Sequence, residues 1–442
     1  MRKASLLLCL LLPLTINAQQ LSIDSMIERD MASMLSTYKM LHAAPELSHR
    51  EEKTAAFFAG ELRKLGYTVT ERLGKYESGE WIGYGVIAVL KNGAGPTVLV
   101  RTELDALPVE EKTGAPYASK VRVKNDAGVE VSVMHACGHD IHMTSLLATA
   151  KLLSELKSQW QGTLVLLGQP SEETGDGARA LLKDNLYTRF PQPDFAIALH
   201  DKQDIETGKV GYTPGYAMAS ATSIDIKIRG VGGHGSAPET TKDPVVVAAQ
   251  VVMALQTIVS RENSPLDPAV VTVGSIHGGT RYNIIPDEVN LQLTVRTYKE
   301  DVRQKILASI ERIVKGAALT AGIPEDRAPI VKVSEGTKST YNEPKLLERL
   351  TPALQKALGD ENVVKMPPMM ASEDFGYLSL DQKIPATIIW LGASDPQKVK
   401  AYRETGAAIP GLHSALFLPV AEPTLRTGVK ATTAAVLELM KK

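Results

Sequence analysis

The chain has 442 residues, 44% of them apolar and 22% charged, with a formal net charge of −1. That length is too great for one simple core and predicts about two domains, and the composition is that of an ordinary soluble globular protein. The near-neutral charge gives no ground for a nucleic-acid or anionic-membrane partner.

At the N-terminus, Arg2 and Lys3, the apolar run Leu6–Leu14 and the ending Ile16-Asn17-Ala18 predict a secretory leader cleaved after Ala18. The run is too short to span a bilayer, and Cys9 lies inside it rather than after it, which argues against a lipid-anchored form. The expected location is therefore periplasmic or secreted, with no membrane anchor after cleavage. Removing residues 1–18 takes away two positive charges and no negative ones, leaving −1 − 2 = −3. Of the 2 cysteines it leaves only Cys137, so no intramolecular disulfide can form. A lone thiol in an oxidising compartment is a liability unless it is buried or metal-bound, which favours Cys137 as a ligand.

Residues 24–42 predict an amphipathic helix, broken at Ala43-Ala44-Pro45. Ser48-His49-Arg50-Glu51 is expected to be a capping box opening a helix that runs to about Leu65 and stops at Gly66. Strands are expected over 67–70, 83–90 and 97–101, the last ending in Glu103-Leu104-Asp105, with acids just past a buried strand. In open α/β sheets that edge is where ligands bind. Next comes Met134-His135-Ala136-Cys137-Gly138-His139-Asp140-Ile141-His142, which holds three of the 9 histidines. A soft thiolate and an imidazole two positions apart form a metal-binding pair, with Gly138 letting the backbone bend between them. Helical periodicity over 143–157 puts the pair where a loop enters a helix. Taken alone, such a pair reads more readily as a buried free cysteine beside surface histidines.

Similar ligand types recur downstream. The apolar strand 163–167 leads into Ser171-Glu172-Glu173-Thr174-Gly175, and the strand 195–199 ends at His200-Asp201. Three strands thus deliver acids or histidine at one end. Small residues over 212–220 suggest a hinge. After it the expected order is strand 223–229, helix 244–261, strands 269–275 and 288–297, helix 301–320 and strand 329–333, a ferredoxin-like βαββαβ unit. A helix over 343–358, an apolar run over 386–391 and a final helix over 423–440 return to the first texture.

The candidate ligands that converge are Cys137, His139, Glu173, His200 and His413, the last being the C-terminal part's one histidine. Five N, S and O donors are too many for one tetrahedral zinc. They suit two divalent ions about 3.5–4 Å apart sharing a bridging ligand, a pair that polarises a carbonyl and activates a water near neutral pH. Glu172, beside a ligand, is placed to serve as acid and base. Asp105 is expected to orient a ligand imidazole. His234, in Gly232-Gly233-His234-Gly235, could stabilise an oxyanion, although a surface turn is the simpler use of such a stretch. His135 and His142 could support ligands, while His42, His49 and His277 have no supporting neighbours and are expected to be structural or solvent-facing.

The sequence resembles the metallo-amidohydrolase family that contains aminoacylases, hippurate hydrolases and plant auxin-conjugate hydrolases, within the wider dinuclear-metal peptidase superfamily. The likeness runs through His42-Ala43-Ala44-Pro45-Glu46-Leu47-Ser48, Asp105-Ala106-Leu107-Pro108, residues 134–142, Glu172-Glu173, Gly232-Gly233-His234-Gly235, Asn283-Ile284-Ile285-Pro286-Asp287 and Ser372-Glu373-Asp374-Phe375. It implies an α/β metallopeptidase-type catalytic domain with a mixed central sheet flanked by helices, covering 19–218 and 336–442. Between these halves it implies an inserted ferredoxin-like lid and dimerisation domain, 219–335. It further implies that His234 and Asn283 reach the active site of the other subunit of a homodimer, and that Arg296 helps hold the substrate carboxylate or the lid strand. Glu103 stands where the family usually has aspartate, and Glu239 where histidine often follows Ser-Ala-Pro.

The expectation is an exported, homodimeric amidohydrolase with two divalent ions per subunit, cleaving the amide bond of N-acyl amino acids or similar small conjugates. Thiolate, imidazole and carboxylate donors together suit zinc, manganese, cobalt or nickel. The alternatives are a dipeptidase or cell-wall-peptide peptidase of the same superfamily, and a metal-binding protein without turnover.

Overall fold

The continuous apolar runs become the middle of an eight-stranded sheet, buried on both faces. The computed structural model describes residues 22–334 and 336–442, so the expected leader lies outside the described residues. The sheet order is Thr68–Lys75, Ile82–Asn92, Gly162–Gln169, Thr97–Glu103, Phe195–Glu206, Ala386–Ser394, Val210–Tyr212 and Val363–Lys365. The four strands from Gly162–Gln169 to Ala386–Ser394 run parallel, and the edges add antiparallel pairings, so the sheet is mixed. Side chains alternate between two apolar layers, as a strand's period of two requires. Val98, Val100, Leu164, Leu166, Ile197 and Leu199 face one layer; Leu99, Val165, Leu167, Ala196 and Ala198 face the other. Helices Ile23–Ala43, Glu52–Lys64, His139–Glu155, Pro344–Leu358 and Ala421–Met440 supply the first layer. The short helix Gly177–Lys183 and the 3₁₀ turn Asp374–Ser379 contribute to the second.

Register brings the chemical ends level. Arg101 pairs with both Leu167 and Ala198, and Glu103 pairs with Gln169. Two residues beyond Ala198, His200 therefore stands level with Glu103, and Glu172 follows Gln169 in the next turn.

A second, antiparallel sheet has the order Ala269–Gly278, Glu288–Thr297, Ser220–Arg229 and Ile330–Val333. With helices Pro244–Thr257 and Glu300–Thr320 this is the βαββαβ succession, and it closes its own apolar cluster around Ile226, Val251, Leu293 and Ile310. The suggested hinge differs from expectation. Gly215–Met218 is a strand paired with Thr340–Asn342, and a further bridge joins Ala221 to Thr337. The two crossings between the sheets are thus tied side by side, and the small residues there serve burial of Ala217 and Ala219.

The capping box also differs. The helix begins at Glu52, its N-cap is Glu51, and no side chain caps it. Ser48 Oγ instead donates to Asp105 Oδ2 at 2.7 Å, a carboxylate at the end of the central strand. The C-terminus is as expected, with Gly66 at φ +84° and the Tyr67 amide closing on Leu62 O.

Candidate metal centre

Gly138 carries φ +79° and stands between Cys137 and the first residue of helix His139–Glu155. A Cβ there would lie 2.4 Å from Asp201 Oδ2, so the turn that separates the thiol from the imidazole needs glycine for both conformation and space. His200 comes from the strand Phe195–Glu206, and Glu172 and Glu173 from the turn after Gly162–Gln169. His413 comes from a C-terminal loop whose amide at 413 donates to Ala136 O at 2.8 Å, binding that loop to the cysteine segment.

These side chains meet. Cys137 Sγ lies 3.6 Å from His200 Nε2. His139 Nε2 lies 3.7 Å from Glu172 Oε2 and 3.8 Å from Glu173 Oε1, and His413 Nε2 lies 3.4 Å from Glu173 Oε2. Among the triads whose donor atoms lie within 4.8 Å of one another are Cys137, His139 and His200, and Cys137, Glu173 and His413. Cys137 belongs to both.

The residues fit divalent ions on three counts. His139 Nε2 and Glu173 Oε1 are buried with no hydrogen-bond partner, a costly arrangement unless something else binds them. His139 Nδ1 and His200 Nδ1 each lie 2.8 Å from a backbone carbonyl, of Asp105 and Asp201. A carbonyl only accepts, so both Nδ1 atoms carry a proton and in each ring Nε2 is the nitrogen left for a cation, which binds it deprotonated. The third count is electrostatic. Burial, with Glu173 and Glu172 beside it, pushes the Cys137 thiol up; burial and Glu373 push Glu172 well above the carboxylate range; burial takes Glu173 to about 7. Burial pulls His200 well down, whereas in His139 the Asp105 bond and Glu173 outweigh burial and carry it up to about 9. Left to themselves the acids hold protons, and a cation bound among them reverses that preference.

Supporting groups lie behind. Asp105, fully buried, accepts from Ser48 Oγ and from the Glu173 amide at 3.0 Å, and its Oδ1 is 3.4 Å from His139 Nδ1. His142 is committed on both nitrogens, to Glu103 Oε2 at 2.9 Å and as acceptor from the Asp201 amide at 2.8 Å. Glu103 thus joins His142 to the buried Arg101, which also pairs with Glu373 at 2.6 Å and Asp374 at 3.2 Å. Glu239 lies exposed in a 3₁₀ turn away from this network. His135 is buried with neither nitrogen bonded. His42 is buried between Asp140 and Glu111, His277 is exposed, and His49 stacks on Trp81 at 4.9 Å.

A cleft of about 370 Å³ opens over the cluster. Arg296 lines it, with Nη1 donating to Met370 O at 2.9 Å. His234 and Asn283 do not line it. They sit together, exposed, at a separate two-stranded pairing of Gly233–His234 with Ile284–Ile285, where the Gly235 amide donates to Asn283 O and His234 pairs with Ile284. Sequence reasoning missed Lys202, Met218, Met369 and Trp390, all in the cleft wall. Lys202 had a signal, since it lies two residues past His200 on the ligand strand. The Arg101 network had one too, a charged residue inside an apolar strand.

A family profile described as peptidase family M20/M25/M40 matches residues 99–405. N-acetyl-L-cysteine deacetylase of Bacillus subtilis is 36% identical over 81% of this chain and 80% of its own length. Hippurate hydrolase of Campylobacter jejuni is 36% identical over 76% of this chain and 82% of its own. Among solved structures, a dinuclear metal binding peptidase of the M20 family from Bacillus subtilis superposes with a TM-score of 0.73 at 25% identity, covering 93% of this chain and 99% of that one.

Proposed function

The chain belongs to peptidase family M20/M25/M40, a metal-dependent amide-bond hydrolase by that membership, and from this premise we propose that it hydrolyses N-acyl amino acids. The supporting observation is the geometry of one turn: Glu172 and Glu173 both line the cleft, 3.7 and 3.8 Å from His139 Nε2, and Glu173 also reaches His413 Nε2 at 3.4 Å. The proposed ligands are Cys137, His139, Glu173, His200 and His413. Two divalent ions held there polarise the scissile carbonyl and make a nucleophilic water available at neutral pH.

The chain's own residues do the rest. Glu172 takes a proton from the attacking water on Oε2 and delivers it to the leaving nitrogen. Asp105 keeps His139 in the tautomer that presents Nε2. Arg296, on the cleft wall, holds the carboxylate of the amino-acid half. His234, from a partner subunit of a homodimer joined through residues 219–335, steadies the oxyanion. Export through the leader at 1–18 completes the reading, with burial and metal binding protecting the free thiol of Cys137 in an oxidising compartment.

The test is Glu172→Gln, loaded with metal and assayed on N-acetyl and N-benzoyl amino acids alongside free dipeptides. Turnover should fall by about 100-fold or more at unchanged metal content. Activity near the parent's would remove Glu172 from the chemistry, and a parent that prefers free dipeptides would make the enzyme a dipeptidase.

A further inference from the structure

Two residues beside the cluster hold backbone conformations that side chains other than glycine rarely adopt, and they are bonded to each other. His49 has φ +65° and Ser171 φ +53°, and the His49 amide donates to Ser171 Oγ at 2.9 Å. Strain of this kind persists only where the surroundings over-determine it. Here the surrounding group is Glu51, which is 0% exposed. Its Oε1 accepts from the Ser171 amide at 2.7 Å, from Ser171 Oγ at 3.0 Å and from the His49 amide at 3.1 Å. Ser171 spends its one hydroxyl proton on Glu51, so the Tyr76 hydroxyl, 2.7 Å away, donates to Ser171 Oγ.

These bonds anchor the turn that carries the two glutamates. Ser171 directly precedes Glu172. On the other side of Glu172, the Glu173 amide donates to Asp105 Oδ2 at 3.0 Å, the oxygen that Ser48 Oγ also reaches. Within the turn, the Gly175 amide donates to Glu172 O at 2.7 Å and the Gly177 amide to Ser171 O at 3.1 Å. A Cβ at Gly177 would lie 1.7 Å from Pro170 O, so the turn is closed too tightly to drift. Glu172 therefore stands on a backbone held before it and after it, directly or through Asp105, by one short segment, Ser48–Glu51.

We propose that Glu51 is a positioning residue: through Ser171 it fixes the direction in which Glu172 enters the cleft, and Ser48–Glu51 is a template for the catalytic turn. The proposal rests on Glu172 as the acid/base. It requires an acceptor at Oε1 and no particular charge. Burial and neighbouring Asp105 push the Glu51 carboxyl up to about 8, and Oε1 can accept in either protonation state.

That distinction sets the experiment. Glu51→Gln keeps the acceptor and should hold kcat within about threefold of the parent. Glu51→Met has similar length but removes the acceptor of three hydrogen bonds and leaves the Ser171 amide unpaired. It should lower kcat by about 10- to 100-fold with KM within about twofold, the scale of a small misplacement of a catalytic group. Ser171→Gly keeps the backbone conformation and loses Oγ; it should lower kcat in the same direction, and it serves if Glu51→Met does not fold. Each variant is metal-loaded, analysed for metal, and assayed on the best substrate of the N-acetyl and N-benzoyl amino acid panel. Full kcat in the folded variants would overturn the proposal. So would Glu51→Gln falling as far as Glu51→Met, or a loss that simply follows metal content, because the segment would then serve Glu173. Glu172→Gln run in parallel separates the two ideas. If it is fully active, the acid/base assignment and the proposal on it both fail; if it is inactive while Glu51→Met is normal, only the positioning role fails.

Discussion

Cys137 is the residue on which the two triads overlap, and its surroundings are the wrong ones for a merely reactive thiol. Burial and two neighbouring glutamates push its proton affinity up, whereas a reactive cysteine needs a pKa lowered by cations or a helix N-terminus. A group so placed becomes a thiolate only with a cation in the cluster. Cys137→Ser should therefore lower metal retention and activity together, because a hydroxyl is a far poorer ligand. Metal analysis after dialysis tests this, and two ions per chain held at the parent's affinity would take Cys137 out of the site. At this scale the ligand types were legible, since thiol, imidazole and acid recur at strand ends. The supporting contacts were not. That Ser48 reaches Asp105, or that Glu103 joins Arg101 to His142, depends on strands that meet only after folding.

Elements were legible where period and length agreed, and least so where function overrode local preference. The helix Glu52–Lys64 is a case: its serine is diverted to Asp105, so its first turn goes without a side-chain cap. Another is His42, which no motif marked as more than structural. It fastens helix Ile23–Ala43 to helix His139–Glu155 through Asp140 at 2.7 Å, with Glu111 at 3.0 Å on its other nitrogen. Burial works against charge on His42, but these two carboxylates overcome it and carry its pKa up to about 9. A folded pKa above the unfolded value, about 6.5, stabilises fully below that value. The contribution is lost as pH rises through about 9. The melting temperature of the parent should therefore fall across that window relative to His42→Gln, whose curve should be flatter. Parallel curves for the two proteins would show that His42 stays neutral in the fold.

At the scale of the whole molecule, the alternation of periods made both sheets readable, but no sequence pattern says how one sheet is placed over the other. His234 and Asn283 are the residues this affects most. They sit exposed at the two-stranded pairing of Gly233–His234 with Ile284–Ile285, outside the cleft that the same chain forms. The exposed Ile284 and Tyr282 beside them are the kind of surface a neighbouring subunit covers. If His234 works across a dimer, catalysis requires two chains, and two inactive variants should complement each other. Mix His234→Ala with Glu172→Gln and allow subunits to exchange. In a mixed dimer the site on the His234→Ala chain keeps its own Glu172 and borrows an intact His234 from its partner, whereas the other site lacks both groups. Random exchange of equal amounts makes about half of the dimers mixed, each with one working site of two, so about a quarter of the parent's activity should return. Exchange is verified separately with differently labelled chains. A fully exchanged mixture as inactive as its components would mean that His234 acts within its own chain or takes no part in the reaction.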